Sequence, residues 1–170
     1  MKPLSTDEIS LRILNIKDKE ALDMLIKKIE NSLINKDFWL PILDEAYEHF
    51  FDNKWTMFCG AFKENILIGA AALFFNQFEY HEAANKLNLK GNKIAEIGRC
   101  MVLPKYRGNN LMLQINKYLL DNNSKDIKYY IATVHPENIS SVKSLQNLGL
   151  QKKETFNKNG FLRDIYMLEK

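Results

Sequence analysis

Cysteine is scarce in this 170-residue chain, occurring only at Cys59 and Cys100, too few and too far apart for a disulfide framework or for a structural zinc site, which takes four ligands. Free thiols in a reducing compartment are expected. Long apolar runs are missing too: the longest, Ile66 to Phe75, is ten residues broken by Gly69, whereas a bilayer crossing needs roughly 20. No membrane span is predicted. The opening MKPLSTDEIS has no apolar leader core, so the expected location is the cytoplasm. With four prolines, seven glycines, no repeat and no low-complexity tract, nothing reads as a linker, and residues 1–170 are expected to form one domain.

A strong charge of one sign is also lacking, since the net charge is +3. Residues 1–100 carry 13 basic and 15 acidic side chains and residues 101–170 carry 11 and 6, so the two parts stand at −2 and +5. A basic C-terminal part suits an anionic ligand such as a nucleotide phosphate, or it is a solvated face. Its lysines are scattered rather than clustered. Nucleic acid is therefore not an expected partner.

What the sequence does contain is alternating strand and helix signals. Ile9 to Ile16 alternates as a strand does, and Lys17 to Leu33 places Leu22, Leu25, Ile26 and Ile29 at helical spacing. A second helix is predicted over Phe38 to Phe51, with Pro41 in its first turn. Trp55 to Phe62 and Ile66 to Phe75 read as a hairpin, and 76–93 as an inserted lid or loop with a short helix through Ala83, Ala84 and Leu87. A strand from Ile94 to Leu103, a helix carrying Leu111, Ile115, Tyr118 and Leu119 on one face, and a strand from Lys128 to Val134 make a strand–helix–strand unit. Asn138 to Leu148 is helical up to Gly149, and Phe161 to Leu168 closes the chain as a strand.

Between the strand ending at Leu103 and the next helix lies Val102-Leu103-Pro104-Lys105-Tyr106-Arg107-Gly108-Asn109-Asn110-Leu111, with little side-chain bulk at the bend. The first amides of a helix have no internal partner and sit at the positive end of its dipole, so this turn reads either as an anion cradle or as a plain helix cap. The segment Arg107-Gly108-Asn109-Asn110-Leu111-Met112, followed 31 residues after Arg107 by Asn138-Ile139-Ser140-Ser141 and an amphipathic helix ending in Gly149-Leu150, resembles the two cofactor signatures of the GCN5-related N-acetyltransferase superfamily. Asn110 stands where the family's middle glycine falls, and Met112 where its final small residue falls.

The resemblance implies an α/β (α+β) fold with a central mixed, twisted sheet of six to seven strands, helices on both faces, and two parallel strands splayed around acetyl-CoA. Those strands would be 94–103 and 128–134. Cys100, Met101 and Val102 would offer backbone to the pantetheine arm, residues Arg107, Gly108, Asn109, Asn110, Leu111 and Met112 would hold the diphosphate, and Asn138 and Ser141 would shape the cleft. The implied activity is acetyl transfer to a primary amine of a small molecule or peptide by direct attack in a ternary complex. A carboxylate or imidazole would take the amine proton. The run Ala95-Glu96-Ile97 makes Glu96 the candidate base, or else one half of an ion pair, and a regular strand would put it on one face with Cys100 and Val102. His135 is the alternative base, or a turn former. Leu145 replaces the tyrosine that commonly protonates the leaving thiolate, which leaves Ser141, Ser144, Tyr130 or water. Cys100 reads as a small interior residue rather than as a nucleophile. The acceptor site would be built from 31–54 and 76–93, where Asp44, Glu45 and Glu48 either attract a cationic amine or form a solvated face. No metal is expected, a homodimer is possible, and the alternative to catalysis is an acyl-CoA-binding sensor or interaction module.

Overall fold

The computed structural model describes residues 8–42, 47–91 and 93–170. Its strands are β1 (Ser10–Ile13), β2 (Thr56–Lys63), β3 (Ile66–Phe74), β4 (Ile94–Val102), β5 (Tyr129–Val134), β6 (Gln151–Lys158) and β7 (Phe161–Glu169); its helices are α1 (Lys19–Ser32), α2 (Gln77–Lys86), α3 (Leu111–Asn122) and α4 (Ile139–Asn147). The strands form one mixed sheet in the order β1-β2-β3-β4-β5-β7-β6. Every neighbouring pair is antiparallel except β4 and β5. That exception follows from α3, which crosses over between them.

Helix α1 buries Leu22, Leu25, Ile26 and Ile29, the stripe that its sequence spacing predicts. Each such side chain contributes about 1.5–3 kcal/mol relative to exposure. Helix α3 does the same with Leu111, Ile115 and Leu119. Both pack onto β3, whose run from Leu67 to Phe74 is buried throughout, as its apolar sequence requires of a strand covered on both faces. A smaller cluster, Tyr80, Ala83, Ala84, Ile94, Ile131, Phe156 and Ile165, seats α2 against β4 and β5.

Three elements differ from the sequence reading. Of the helix expected over Phe38 to Phe51, the described residues show a 3₁₀ turn at Lys36–Phe38, an extended Trp39, non-helical Leu40 to Ile42, and helix at Tyr47 and Glu48; 43–46 lie outside the described residues. Pro41 disfavours helical backbone at the residue before it, which accounts for the break. Residues 77–86 form a full helix rather than an open lid. Strand β6 was not anticipated because QKKETFNK leaves its first five residues exposed and shows no apolar alternation. It is an edge strand guarded by lysine, and the signal that reveals it is Asn159-Gly160, a two-residue hairpin turn with both residues at positive φ.

The sheet is tightest where β3 meets β4. A Cβ on Gly69 would lie 2.9 Å from the Met101 carbonyl oxygen, a backbone contact that cannot move aside. Gly69→Ala is therefore expected to destabilise the fold by about 1–3 kcal/mol, read as a lower denaturation midpoint at unchanged slope.

Candidate active site

The parallel ladder between β4 and β5 is short. It pairs Ile94, Ala95 and Glu96 with Tyr129, Tyr130 and Ile131, and beyond Glu96 the two strands share no register. One cause is a bulge: Arg99 has φ 49, and between Gly98 and Met101 strand β4 spends one residue more than its partner β3. The bulge also reverses the side chains that follow. Glu96, Gly98 and Met101 face one way, opposite Phe74, Ala72 and Ala70, whereas Val102 stands opposite Gly69 on the other side. The expectation that Glu96 shares a face with Cys100 and Val102 is thus overturned, because it assumed a regular strand. Cys100 instead meets Asn116 of α3, at 3.8 Å from Sγ. Burial pushes its thiol up to about 11, which keeps it protonated and inert.

Two cavities meet in the opening. The outer, about 480 Å³, is lined by Cys100, Met101, Val102, Arg107, Gly108, Asn110, Leu111, Met112 and, across the gap, Asn138 and Ser141. The inner, about 120 Å³, reaches Glu96, Thr133 and Leu145; Cys100, Met112, Asn138, Ser141 and Ser144 border both.

At the outer end, the chain enters α3 through Gly108 at φ 82 and Asn110 in the left-handed region at φ 54, ψ 18. Asparagine adopts that conformation more readily than most residues, so it serves where a glycine would. No side chain caps α3, which leaves the first-turn amides of Leu111, Met112 and Leu113 on the lining without an intrahelical acceptor. Asn109 braces the turn instead of lining it, its Nδ2 donating to the Tyr106 and Arg107 carbonyls at 3.1 and 3.2 Å. Arg107 Nε donates to the Val102 carbonyl at 3.1 Å. Asn138 caps α4 by accepting from the Ser141 amide at 3.3 Å.

At the inner end, Glu96 is 5% exposed. Its Oε1 accepts from Thr133 Oγ1 at 3.0 Å, Lys158 Nζ lies 3.9 Å from Oε2, and Oε2 has no hydrogen-bond partner. Burial raises the pKa of this carboxyl, and the Lys158 charge opposes the rise without cancelling it. Ser144 Oγ is likewise buried and unpartnered. His135 stands apart: it lines neither cavity, packs on Phe38 at 5.3 Å between ring centroids, and its Nδ1 accepts from the Glu137 amide at 3.2 Å. Of the other candidates, Tyr130 is buried with its hydroxyl on Asn123 at 3.1 Å, away from both cavities.

A forked parallel pair, an uncapped helix start at one end and a buried carboxyl at the other agree with what comparison with known proteins finds. The acetyltransferase (GNAT) family model matches residues 26–150. The chain belongs to the acetyltransferase (GNAT) family. Its fold is shared by a GNAT acetyltransferase of Streptococcus agalactiae (TM-score 0.72, 14% identity, 95% of each chain covered) and one of Streptococcus pneumoniae (0.71, 15%, 95% of this chain and 99% of that one). It is shared as well by the ribosomal L7/L12 alpha-N-protein acetyltransferase RimL in complex with coenzyme A (0.68, 17%, 98% and 96%). No curated protein sequence is detectably similar to the chain.

As a GNAT protein the chain is an acetyltransferase of a family that uses acetyl-CoA. Several residues lining the inner cavity lay beyond the sequence reading: Thr133, Asn116, Lys158 and Arg163. A hint was present in the pair Arg163-Asp164, two charges inside an otherwise apolar strand, since such residues are rarely buried without a task. Of the acidic trio expected to draw a cationic acceptor, Asp44 and Glu45 lie outside the described residues and Glu48 is exposed. Among the described residues no group of His, Cys, Asp and Glu is arranged to hold a metal ion, and no helix is long and apolar enough to cross a membrane.

Proposed function

We propose that the protein transfers an acetyl group from acetyl-CoA to a primary amine of a small molecule or peptide, by direct attack in a ternary complex, with Glu96 receiving the amine proton. The observation that carries this reading is the unpartnered Glu96 Oε2 at the closed end of an opening whose other end is an uncapped helix start. The residues suit coenzyme A. Free amides of α3 and the positive-φ backbone at Gly108 and Asn110 form a concave anion site for the diphosphate, and β4, paired with β3 on its other edge, runs past Cys100, Met101 and Val102 along the gap with no ladder to β5. When bound, acetyl-CoA supplies an acyl group already activated as a thioester.

Everything else falls to the chain. An alkyl amine is largely protonated at neutral pH, and only its neutral form attacks. Glu96 takes a proton while Thr133 holds one carboxylate oxygen, leaving Oε2 directed at the amine. Ser144 presents an unused hydroxyl between the cavities and donates it to the departing thiolate, the task for which Leu145 has no polar atom. Ser144→Ala should lower kcat about tenfold, one net hydrogen bond, and raise the melting temperature because a buried unpaired hydroxyl is removed.

The test is release of thiol from acetyl-CoA by the purified full chain with a panel of primary amines. Amine-dependent release supports acetyl transfer. Tight coenzyme A binding with no release for any amine would instead support a non-catalytic acyl-CoA sensor, the reading that the apolar Leu145 favours.

A further inference from the structure

The inner cavity holds more positive charge than proton transfer from an amine requires. Its ionisable lining is Glu79 and Glu96 against Arg99, Lys158 and Arg163. Lys158 approaches Glu96 at 3.9 Å and donates to the Glu79 carbonyl oxygen at 2.9 Å. Neither arginine has a carboxylate within ion-pair distance among the described residues. Arg99 donates to the carbonyls of Leu40 at 2.6 Å and Pro41 at 3.2 Å, and Arg163 to those of Leu162 at 2.8 Å and Asp37 at 2.6 Å. Arg99 feels the charges of Glu79, Glu96 and the exposed Glu30, and Arg163 that of the exposed Asp37, all from beyond that distance.

Carbonyl dipoles satisfy N–H groups but supply no counter-charge, and a buried cation without an anion is costly to maintain. Burial lowers both arginine pKa values, yet guanidinium remains charged at any working pH. The set stands at +1 with Glu96 ionised and +2 with it protonated. Coenzyme A does not account for the excess, because none of the three cations lines the outer cavity, where the diphosphate cradle lies.

Resting on the proposed acetyl transfer, we propose that the acceptor amine carries its own carboxylate, as a free α-amino acid does, with the anionic group held by Arg99 and Arg163 and the amine turned toward Glu96. Arg99 is suited to this task by the bulge, whose positive φ aims the side chain across the cavity mouth at Trp39 and Leu40. Planar guanidinium forks match a carboxylate in a way that an ammonium does not. The polarity is opposite to that of a polyamine site.

The test compares matched acceptors on the full chain with acetyl-CoA: free α-amino acids, their carboxamides, and the corresponding decarboxylated amines, with spermidine as a cationic probe. The expected result is a kcat/KM for the acid at least about tenfold above its carboxamide, carried mainly by KM, as one charge-assisted bidentate contact supplies. In Arg99→Gln the ratio should fall toward one, and in Arg99→Lys it should partly recover. Turnover with equal rates for acid and carboxamide, or with spermidine preferred, overturns the inference and leaves acetyl transfer standing. No turnover with any amine overturns both. Should Arg99→Gln fail to fold, the ratio in the unaltered protein decides alone.

Discussion

Glu96→Gln is expected to lower kcat by about two to four orders of magnitude, the range that a positioned proton acceptor contributes, while coenzyme A affinity stays within about twofold. Glutamine keeps the shape and the hydrogen bond from Thr133 but has no basic oxygen. The pH profile adds a second reading of the same residue. Burial raises the Glu96 pKa, so kcat/KM should climb with pH through an apparent value above the ordinary carboxylate range, and that limb should vanish in the variant.

Stability moves in the opposite direction, and the sign follows from proton linkage. A carboxyl whose folded pKa lies above its unfolded value retains its proton longer in the native state, so its favourable contribution is complete below the unfolded pKa, about 4.3, and is lost as pH rises through the folded pKa. Glu96→Gln should therefore melt above the unaltered protein at pH 8, and the gap should close in acid. Loss of turnover joined to a gain in stability distinguishes a proton acceptor held at a cost from one half of a structural ion pair with Lys158, for which the variant would melt lower.

The second large effect is expected at the turn before α3. Gly108 has φ 82, and a Cβ there would meet nothing within 4 Å, so a side chain offends the backbone and nothing else. Gly108→Val should cost about 1–3 kcal/mol of strain, which the loop relieves by turning its amides away from the groove. Calorimetric titration should then show coenzyme A affinity reduced about tenfold or more. Asn110→Gly is the control. It keeps φ 54 without strain and should bind at least as tightly.

Most of this frame was legible in the sequence because most of it is written in periodicity. The stripe Leu22, Leu25, Ile26 and Ile29 and the apolar run of β3 each reflect a local rule, and each holds, whereas the Arg107-to-Asn138 spacing carries meaning only through the family resemblance. What was hidden is what depends on strands meeting. The bulge at Arg99 is a property of the β3–β4 pair, invisible in β4 alone, and it decides which of the following side chains share a face with Glu96. Strand β6 has almost no apolar signature, since an edge strand with an exposed start needs none, and with it went Lys158, the cation nearest Glu96. Arg163 was visible only as an anomaly, a charge in a strand that should have been apolar. The sequence ranks Glu96 ahead of His135 as base, and tertiary placement agrees, with His135 packed on Phe38 and Glu96 in the inner cavity.

The central claim is that coenzyme A lies between β4 and β5 with its diphosphate on the main chain of Arg107 to Met112, and a crystal structure grown with acetyl-CoA tests it most directly. The predicted result is density for the pantetheine arm in the gap that opens after Glu96, the acyl end entering the inner cavity within reach of Glu96 Oε2. Coenzyme A bound elsewhere on the molecule, or a gap closed by continued β4–β5 pairing in crystals that contain it, would contradict the claim.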